Sequence, residues 1–331
     1  MHICLVLDKS NIIFLNSFLE ALAINQIKCT PFIVDSSRDF KAQRNELLKL
    51  LQREDISYIL SINEYYDEQK RNLYDDTVLE QAKINIWYVD TMQHGEYMPN
   101  IVKKYNKIYT FEPTDIEYAK QLYDIDIEYL PFGAGRNLFA SDDLTKKKSY
   151  EYDICFVGLV AGSAYRLSIL NAIAQLCIKN NYKFALYGHF WHSNHYLQQI
   201  IGSIKFRYKY PDLYKYVHNQ KLEPNKVVDL YRKSRICLNI HNQNHTGLNC
   251  RSFEIMGNGN FLLTDKKDTN RLNIKAGVDY EDYSNMEELT NKISYFLCHD
   301  KERECIALNG AACVRQNYTI DRLISKVITF D

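Results

Sequence analysis

Two charged side chains three residues apart, Arg251 and Glu254, lie in a segment whose pattern suits ligand binding. The segment runs from Leu238 to Asp265 as LNIHNQNHTGLNCRSFEIMGNGNFLLTD. Its apolar ends predict two buried strands, and Arg251–Met256 between them predicts a short helix. Ligands bind at the carboxyl ends of strands in α/β sheets, where a carboxylate such as Glu254 can accept hydrogen bonds from two ribose hydroxyls. An Arg–Glu pair that stabilises one surface turn is the alternative.

A glycine-containing turn, CFVGLVAGSAYR from Cys155 to Arg166, is a second candidate. A buried strand ends at Gly158 and a helix begins near Ser163, which predicts that unsatisfied backbone amides and the helix dipole face an anion. Gly158 and Gly162 would let a ligand approach closely, and Arg166 could bind a phosphate with two hydrogen bonds. The turn matches neither GxGxxG nor GxxxxGK[ST]. A purely structural strand–glycine–helix turn is the alternative.

Alternating strands and helices must position these groups, and this alternation predicts doubly wound α/β domains. In the first part of the chain, strands are predicted at Ile3–Leu7, Thr30–Val34, Ser57–Ser61, Asn85–Val89, Lys107–Phe111 and Ile127–Pro131, and helices at Asn11–Asn25, Lys41–Arg53, near Tyr74–Lys83 and at Pro113–Tyr123. Later strands are predicted at Ile154–Val157, Phe184–Tyr187, Ile236–Ile240 and Phe261–Thr264, and later helices at Tyr165–Lys179, Asn225–Lys233, Arg251–Met256 and Met286–Leu297.

The chain of 331 residues predicts two domains. The alternation stops between Phe132 and Tyr150, where a polar stretch is the best linker candidate. We therefore expect an N-terminal domain at 1–140 and a C-terminal domain at 150–315. The stretch from Asp300 to Val327 is predicted to be helical with an interruption at 317–319, and its last helix, about 316–331, to pack back on the first domain.

Composition favours a soluble cytoplasmic protein. The 41 Lys and Arg residues equal the 41 Asp and Glu residues, which argues against a nucleic-acid partner bound by bulk charge. Nine Cys form no CxxC pair, and unpaired thiols suit a reducing compartment. The first residues, MHICLVLD, lack the basic region of a signal peptide, and no apolar stretch reaches the roughly 18 residues of a membrane span. Peripheral association with the inner face of a membrane stays open.

Four segments in order carry a family resemblance. RSFEIMGNGNFLLTD resembles the signature of CgeB-like glycosyltransferases, approximately R-x-F-E-x-x-(A/G)-x-G-x-x-x-(L/V)-T-D. YDICFVGLVAGSAYR is similar to the FVG…R phosphate loop of that family, FALYGHFW to its L-x-x-Y-G-x-x-W strand, and VDLYRKSRICLNIH to its Y-x-x-S-x-I-x-L-N segment. The likeness is strong from Tyr152 to about Arg322 and weaker before it.

This resemblance implies a GT-B fold, in which two Rossmann-like doubly wound domains face each other across a cleft. The C-terminal domain would bind the nucleotide-sugar donor and the N-terminal domain the acceptor. Glu254 would bind the donor ribose, Arg166 and Arg251 would surround the diphosphate, and Tyr187 with the loop near Lys221 would frame the base. The implied donor-binding residues are Gly158, Gly162, Ser163, Arg166, Tyr187, Gly188, Lys221, Leu222, Asn239, His241, Asn249, Arg251 and Glu254.

The implied activity is transfer of a sugar from a nucleotide diphosphate donor, expected to be UDP-linked, to a glycan, lipid-linked or protein acceptor. No cofactor and no essential metal are expected, because GT-B enzymes neutralise the leaving diphosphate with Arg, Lys and helix dipoles. The DxD sequence at 124–126 lies in a polar turn and is interpreted as coincidence. A GT-B-fold sugar-nucleotide epimerase or hydrolase and a non-catalytic nucleotide-sugar-binding protein are the alternatives.

One position departs from large retaining GT-B families, which carry a second Glu eight residues before the ribose-binding Glu. Here that position is Thr246. Retention, with the leaving phosphate accepting the acceptor proton, is the preferred expectation. Inversion would need a base in the first domain, for which Asp90 and His94 are the candidates. With Arg251, these two complete the catalytic candidates; a capping Asp and a surface His are the structural alternative.

Two further patterns resemble a metal site and a binding surface. His189, His192 and His195 follow one another at three-residue intervals, and His241 and His245 have helical spacing, but no carboxylate or Cys completes a zinc pattern. His241 instead is a candidate contact for the donor. Tyr- and Lys-rich residues 205–221 are interpreted as a helical hairpin insertion, or as a surface that meets an anionic acceptor or a membrane.

Overall fold

The computed structural model describes residues 1–94, 99–140, 144, 149–191 and 195–329. They form two compact units. Unit 1 combines Met1–Asn137 with His245–Cys250 and with the chain from Asn317 onward, and unit 2 combines Leu138–Asn244 with Arg251–Gln316. The division after Asn137 lies near the expected one at residue 140. The grouping of His245–Cys250 with unit 1 was not predicted from the sequence.

Twelve strands and thirteen α-helices are present in the described residues. The strands are β1 His2–Asp8, β2 Lys28–Val34, β3 Tyr58–Ile62, β4 Lys83–Tyr88, β5 Lys107–Thr110, β6 Glu128–Tyr129, β7 Tyr152–Val157, β8 Phe184–Tyr187, β9 Val217–His218, β10 Ser234–Asn239, β11 Leu262–Asp265 and β12 Glu281–Tyr283. The helices are α1 Leu15–Ile24, α2 Phe40–Glu54, α3 Asp76–Gln81, α4 Pro99–Val102, α5 Thr114–Tyr123, α6 Ala164–Asn180, α7 Tyr196–Lys209, α8 Pro211–Tyr214, α9 Pro224–Arg232, α10 Cys250–Gly257, α11 Met286–Cys298, α12 Asp300–Asn317 and α13 Ile320–Val327.

Unit 1 contains a six-stranded parallel sheet in the order β2-β1-β3-β4-β5-β6. Its strands are nearly continuous apolar runs because both faces are covered. Alternate residues of β1 show this, since Cys4 and Val6 belong to one buried cluster and Ile3, Leu5 and Leu7 to another. Residues of α1 and α13 complete the second cluster. The sheet of unit 1 is therefore a buried layer with helices on both sides.

Unit 2 contains a second six-stranded parallel sheet, in the order β12-β11-β10-β7-β8-β9. Counted within this unit, the order is 3-2-1-4-5-6, the arrangement of dinucleotide-binding sheets, whose ligands lie at the switch between the first and fourth strands. That switch falls between β7 and β10, which are hydrogen-bonded neighbours. The topology thus singles out the loops after Val157 and Asn239 as the place for a ligand.

The structure shows the predicted α/β class with two parallel sheets, and it moves most predicted element bounds by only one to three residues. The interruption of the last helical stretch lies at Tyr318–Thr319, between α12 and α13. Strands β9 and β12 and helix α4, each of two to four residues, were not predicted. No helix in the described part of the chain combines the length and apolar character needed to cross a membrane.

Candidate functional site

Helix α10 carries the Arg251 and Glu254 pair into the interior of unit 2. Arg251 Nη1 donates a hydrogen bond to the Tyr231 hydroxyl at 2.7 Å and lies 3.9 Å from a Glu254 carboxylate oxygen. The two side chains are 29% and 14% exposed, and burial raises the pKa of the Tyr231 hydroxyl. A solvent-exposed pair is therefore the wrong description. Both charges are largely withdrawn from water, and a buried tyrosine orients Arg251.

Contacts at both ends fix α10 in place. Asn239, the last residue of β10, donates to Ser252 Oγ at 2.9 Å, and Asn258 donates back to the Glu254 carbonyl at 3.0 Å. Gly257 ends the helix where a Cβ would lie 2.4 Å from the Phe139 ring. The glycine there allows close packing, so the backbone that carries Glu254 is held rigidly.

The strand ends next to α10 hold a buried ion cluster that the sequence analysis did not identify as a set. His241 Nδ1 and its backbone amide both lie 2.9 Å from Asp265 Oδ1, and Lys267 Nζ lies 2.8 Å from Asp265 Oδ2. Burial raises the pKa of Asp265, but His241 and the Lys267 charge outweigh it and hold that pKa well below its usual range. Asp265 is the last residue of the LLTD strand, and an acidic residue at a strand end was the sequence feature that could have indicated this cluster. The cluster fixes His241 rather than leaving it mobile.

The turn after β7 differs from the expected row of open amides. Amides of Gly158, Val160, Ala161 and Ser163 all donate to backbone carbonyls, three of them to Tyr187 and His189 at the end of β8. Ser163 caps α6 by accepting from the Arg166 amide at 3.3 Å. The prediction of unsatisfied amides is wrong at those four positions, because residues at the end of β8 supply three of the acceptors and Val160 supplies the fourth. The first-turn amides of Ala164 and Tyr165 donate to no acceptor within the described residues, so an anion-binding helix end remains.

Arg166 joins the two sides of the switch point. Its Nε donates to the Ile240 carbonyl at 2.9 Å and its Nη1 to the Leu159 carbonyl at 2.6 Å. The pKa of this guanidinium is lowered, mainly by burial. The Asp265 charge raises it and the Arg251 charge lowers it. The side chain therefore stands beside the ion cluster, with one more terminal nitrogen for an anion.

Of the residues predicted to frame the base, Tyr187 and Leu222 line a cavity, whereas Lys221 and Gly188 do not. Tyr187 stacks on His218 with ring centroids 4.4 Å apart, and with Leu222 it lines a cavity of about 240 Å³ beside α9. Lys221 is exposed. Gly188 has φ +145°, and a Cβ there would lie 1.8 Å from the Gly158 carbonyl oxygen, so this glycine serves backbone packing. Gly162, with φ +83°, faces open space.

Unit 2 thus gathers Asn239, His241, Arg166, Arg251 and Glu254 around the ends of β7, β10 and β11. The remaining candidates fall elsewhere. Asn249 belongs to the segment of unit 1 that runs from His245 to Cys250. Asp90 and His94 also belong to unit 1.

The loop after β4 carries Asp90 and His94. Asp90 is exposed in a bend, and His94 ends a short 3-10 helix, Met92–His94, with a side chain outside the described part of the chain. Buried Asp115 holds this loop by accepting hydrogen bonds from Thr91 Oγ1 at 2.6 Å and the Met92 amide at 2.9 Å. The loop is thereby fixed to the first turn of α5.

A second carboxylate that the sequence analysis missed lies directly before α5. Glu112 is fully buried and accepts hydrogen bonds from the Thr246 amide at 3.0 Å, from the Thr246 hydroxyl and from His245 Nδ1 at 3.3 Å. Burial raises the pKa of Glu112, but these hydrogen bonds outweigh it and lower that pKa overall. Thr246 is the position at which a Glu was expected from other families. Its hydroxyl donates to a carboxylate from the loop between β5 and α5 of unit 1.

The histidine patterns do not form metal sites in the described residues. His241 and His245 lie in a loop with a turn between them, not on a helix, and they bind different carboxylates, Asp265 and Glu112. No cluster of three His, Cys, Asp or Glu side chains suited to a metal occurs in the part of the chain that the structure describes, and His192 falls outside it. Asp124 and Asp126 are exposed and paired with Lys120.

Comparisons with known proteins agree with this geometry. Residues 166–329 match the family model described as glycosyl transferase-like. No curated protein sequence matches the chain. Among solved structures, sucrose-phosphate synthase from Thermosynechococcus elongatus is similar over 98% of both chains, with 11% identity and a TM-score of 0.65.

Two further structures are similar at the same level. Anabaena HepE in complex with UDP and glucose has 11% identity, a TM-score of 0.60 and coverage of 98% of both chains. An alpha-glucosyltransferase in complex with UDP and a 13-mer DNA has 12% identity, a TM-score of 0.67 and coverage of 98% of both chains. These likenesses show the GT-B fold. Together with the family match over 166–329, they support a glycosyltransferase.

Proposed function

We propose that the protein transfers a sugar from a nucleotide diphosphate donor, and that unit 2 binds this donor. One observation carries the proposal: Arg251, which donates to Tyr231, lies with Glu254 on α10 at the same strand ends as Arg166. A carboxylate and two guanidiniums at the switch point of a 3-2-1-4-5-6 sheet suit a ribose and a diphosphate.

In this proposal each group has a separate task. Glu254 accepts hydrogen bonds from the ribose hydroxyls. Arg251 and Arg166, with the amides that open α6, neutralise the diphosphate as the bond between sugar and phosphate breaks. His241, oriented by Asp265, contacts the donor sugar or phosphate. Because cationic side chains and a helix end supply the positive charge, we propose that turnover needs no metal ion.

UDP is the proposed nucleotide. Two of the similar structures contain UDP, and both share the fold of this chain. The acceptor is proposed to be a glycan, a lipid-linked molecule or a protein, bound through unit 1.

Retention of configuration is the proposed stereochemical course. The acceptor oxygen bonds to the anomeric carbon, the anomeric carbon–oxygen bond to the diphosphate breaks, and the acceptor proton passes to the leaving diphosphate. Inversion would instead assign that proton to a base in unit 1, with Asp90 and His94 as the candidates. Determining the anomeric configuration of the product by NMR distinguishes the two courses, since loss of retention would overturn the first.

Binding of UDP by the full chain tests the donor site. Titration calorimetry with UDP, GDP and CDP should show preferential UDP binding, and Glu254→Gln should weaken it about tenfold or more because a charged acceptor of two hydrogen bonds is lost. Glu287→Gln, at an exposed position of α11, is the matched control. Failure of every nucleotide to bind, or equal affinity in the Glu254 variant and its control, would refute the donor site.

Turnover assays separate transfer from the alternatives. UDP release should require an acceptor and should persist in EDTA. Release of free sugar without an acceptor would indicate a hydrolase, and interconversion of the nucleotide sugar an epimerase. UDP binding with no reaction across a panel of glycan, lipid-linked and peptide acceptors would leave a binding protein as the better description.

A further inference from the structure

Helix α7 exposes large apolar side chains on one face. Leu197 is 72% exposed, Ile204 63% and Tyr208 91%, and Ile200 and Ile201 are also exposed. Leu197, Ile201, Ile204 and Tyr208 follow one another at intervals of three or four residues, which places them in one stripe along the helix. An exposed apolar stripe of this length on a folded unit marks an interaction surface.

The opposite face of α7 is well packed, so the stripe does not result from a loosely attached helix. Phe206 is buried against Phe190 and Trp191, with ring centroids 5.8 and 5.2 Å away. A Cβ at Gly202 would meet the Trp191 ring at 3.0 Å, and Ser203 is hydrogen-bonded to the Tyr214 hydroxyl at 3.0 Å. The helix is therefore anchored to unit 2 while its apolar stripe faces solvent.

Positive charge borders the stripe. Lys205 and Arg207 lie on its two sides, since each residue turns the helix by about 100°. Lys209 follows at the end of α7, and α7 contains no acidic residue. Between 196 and 221 there are five Lys and Arg residues and a single acidic residue, Asp212, which pairs with Lys215. In a chain of net charge zero, this excess of positive charge is a local feature.

We propose that α7 docks unit 2 on an anionic lipid surface, with the helix lying in the plane of the interface. Aliphatic side chains flanked by cations fit this partner, because the apolar groups enter the acyl boundary while the longer basic side chains reach lipid phosphates. Tyr196 and Tyr208 stand at the two ends of the stripe, where amphipathic rings suit the headgroup layer. Nucleic acid fits less well, since Leu and Ile do not stack on bases.

A second copy of the chain is the competing occupant. Two copies of α7 packed on each other would bury the apolar stripes but would bring no acidic residue to Lys205, Arg207 and Lys209. An anionic bilayer satisfies both the apolar and the charged part of the surface. The proposal concerns a surface of unit 2 that the donor site does not include, and it holds whether or not sugar transfer is demonstrated.

Flotation of the full chain with vesicles tests the docking. The protein should float with phosphatidylcholine vesicles that contain phosphatidylglycerol, should float weakly with phosphatidylcholine alone, and should detach as salt is raised. The triple variant Leu197→Gln, Ile201→Gln and Ile204→Gln should lower the vesicle partition coefficient on the order of tenfold or more, because binding scales with the apolar area that is buried. Equal binding to both vesicle types would overturn the proposal.

Matched variants control for general effects of exposed residues. Ile12→Gln, Ile13→Gln and Leu122→Gln remove exposed apolar side chains of unit 1 and should leave flotation unchanged. Lys205→Gln with Arg207→Gln should weaken binding, whereas Lys179→Gln with Lys301→Gln, at exposed positions elsewhere, should affect it much less. Unaltered circular dichroism and melting temperature would show that each variant folds.

A direct signal comes from Ile204→Trp. Its fluorescence should shift to shorter wavelength when anionic vesicles are added, since the indole enters a less polar medium. No shift, together with wild-type flotation of the triple variant, would exclude the stripe as the contact. Self-association that the triple variant abolishes, without flotation of the wild-type chain, would replace the lipid surface by a second copy.

Discussion

Replacing Glu112 by Gln tests whether a buried carboxylate holds the His245–Cys250 segment in unit 1. Glutamine keeps the shape of glutamate but has no charge. Its NH2 group would face donors that, in the wild-type chain, face a carboxylate oxygen. The Thr246 amide, the Thr246 hydroxyl and His245 all donate to that carboxylate. Hydrogen bonds to a charged acceptor contribute about 1.5–3 kcal/mol each, and the glutamine oxygen retains some of them, so we expect a loss of about 3 kcal/mol.

Thermal unfolding at neutral pH measures this loss. For a unit of this size, about 3 kcal/mol lowers the melting temperature by about 6–12 °C. Glu117→Gln, at an exposed position of the helix α5 that follows Glu112, is the matched control and should change the melting temperature by little. Equal melting temperatures for the two variants would refute the assignment of Glu112 as the anchor of this segment.

The pH dependence provides an independent test of the same carboxylate. Burial raises the pKa of Glu112, but the hydrogen bonds from His245 and Thr246 lower it by more than burial raises it. Its folded pKa is therefore below its unfolded value. Its contribution is therefore complete above the unfolded pKa of about 4.3 and is lost as the pH falls through the folded pKa. The difference in stability between wild type and Glu112→Gln should shrink in that acidic window. A difference that persists unchanged to lower pH would contradict the charge-based explanation.

Three further variants test other parts of the structure. Gly188→Ala should destabilise unit 2 by several kcal/mol, since its Cβ would lie 1.8 Å from the Gly158 carbonyl oxygen, whereas Gly162→Ala, also at positive φ but facing open space, should cost about 1–2 kcal/mol in urea unfolding. Asp265→Asn should cost about 3–5 kcal/mol in the same assay, because it leaves the buried Lys267 ammonium without its carboxylate partner and weakens the contact with His241. The folded pKa of Asp265 is depressed, so its contribution should persist above a pH of about 3.9 and decline only as the pH falls through the folded value. Asn85→Ala removes the donor to the Val327 carbonyl and should raise the hydrogen-exchange rates of α13, and unchanged rates would refute that anchoring role.

Local pattern was sufficient to predict the main elements of both sheets. A strand buried on two faces must be apolar throughout, so β1 and β10 stand out in the sequence, whereas a two-residue strand such as β9 leaves no periodicity to detect. The same holds for the start of α6, where Ser163 has the type and position of an N-cap.

Contacts between distant residues account for what the sequence could not provide. The amides after β7 were predicted to be unsatisfied because most of their acceptors, at Tyr187 and His189, lie in a different part of the chain. Glu112 and Thr246 are 134 positions apart, so nothing local indicated that a carboxylate would meet this threonine. His241 and His245 had helical spacing but bind different carboxylates, because they lie in a loop with a turn between them and not on a helix.

The packing of α13 on unit 1 has a consequence for synthesis on the ribosome. Ile320, Leu323, Ile324 and Val327 complete the cluster that contains Phe18 and other residues from the start of the chain. The part of the first sheet that α13 covers therefore leaves the exit tunnel exposed and stays so while unit 2 is made. Unit 2 can fold as it emerges, but unit 1 must wait for a helix translated long after its strands. Chains released before α13 would expose that apolar surface to chaperones and proteases.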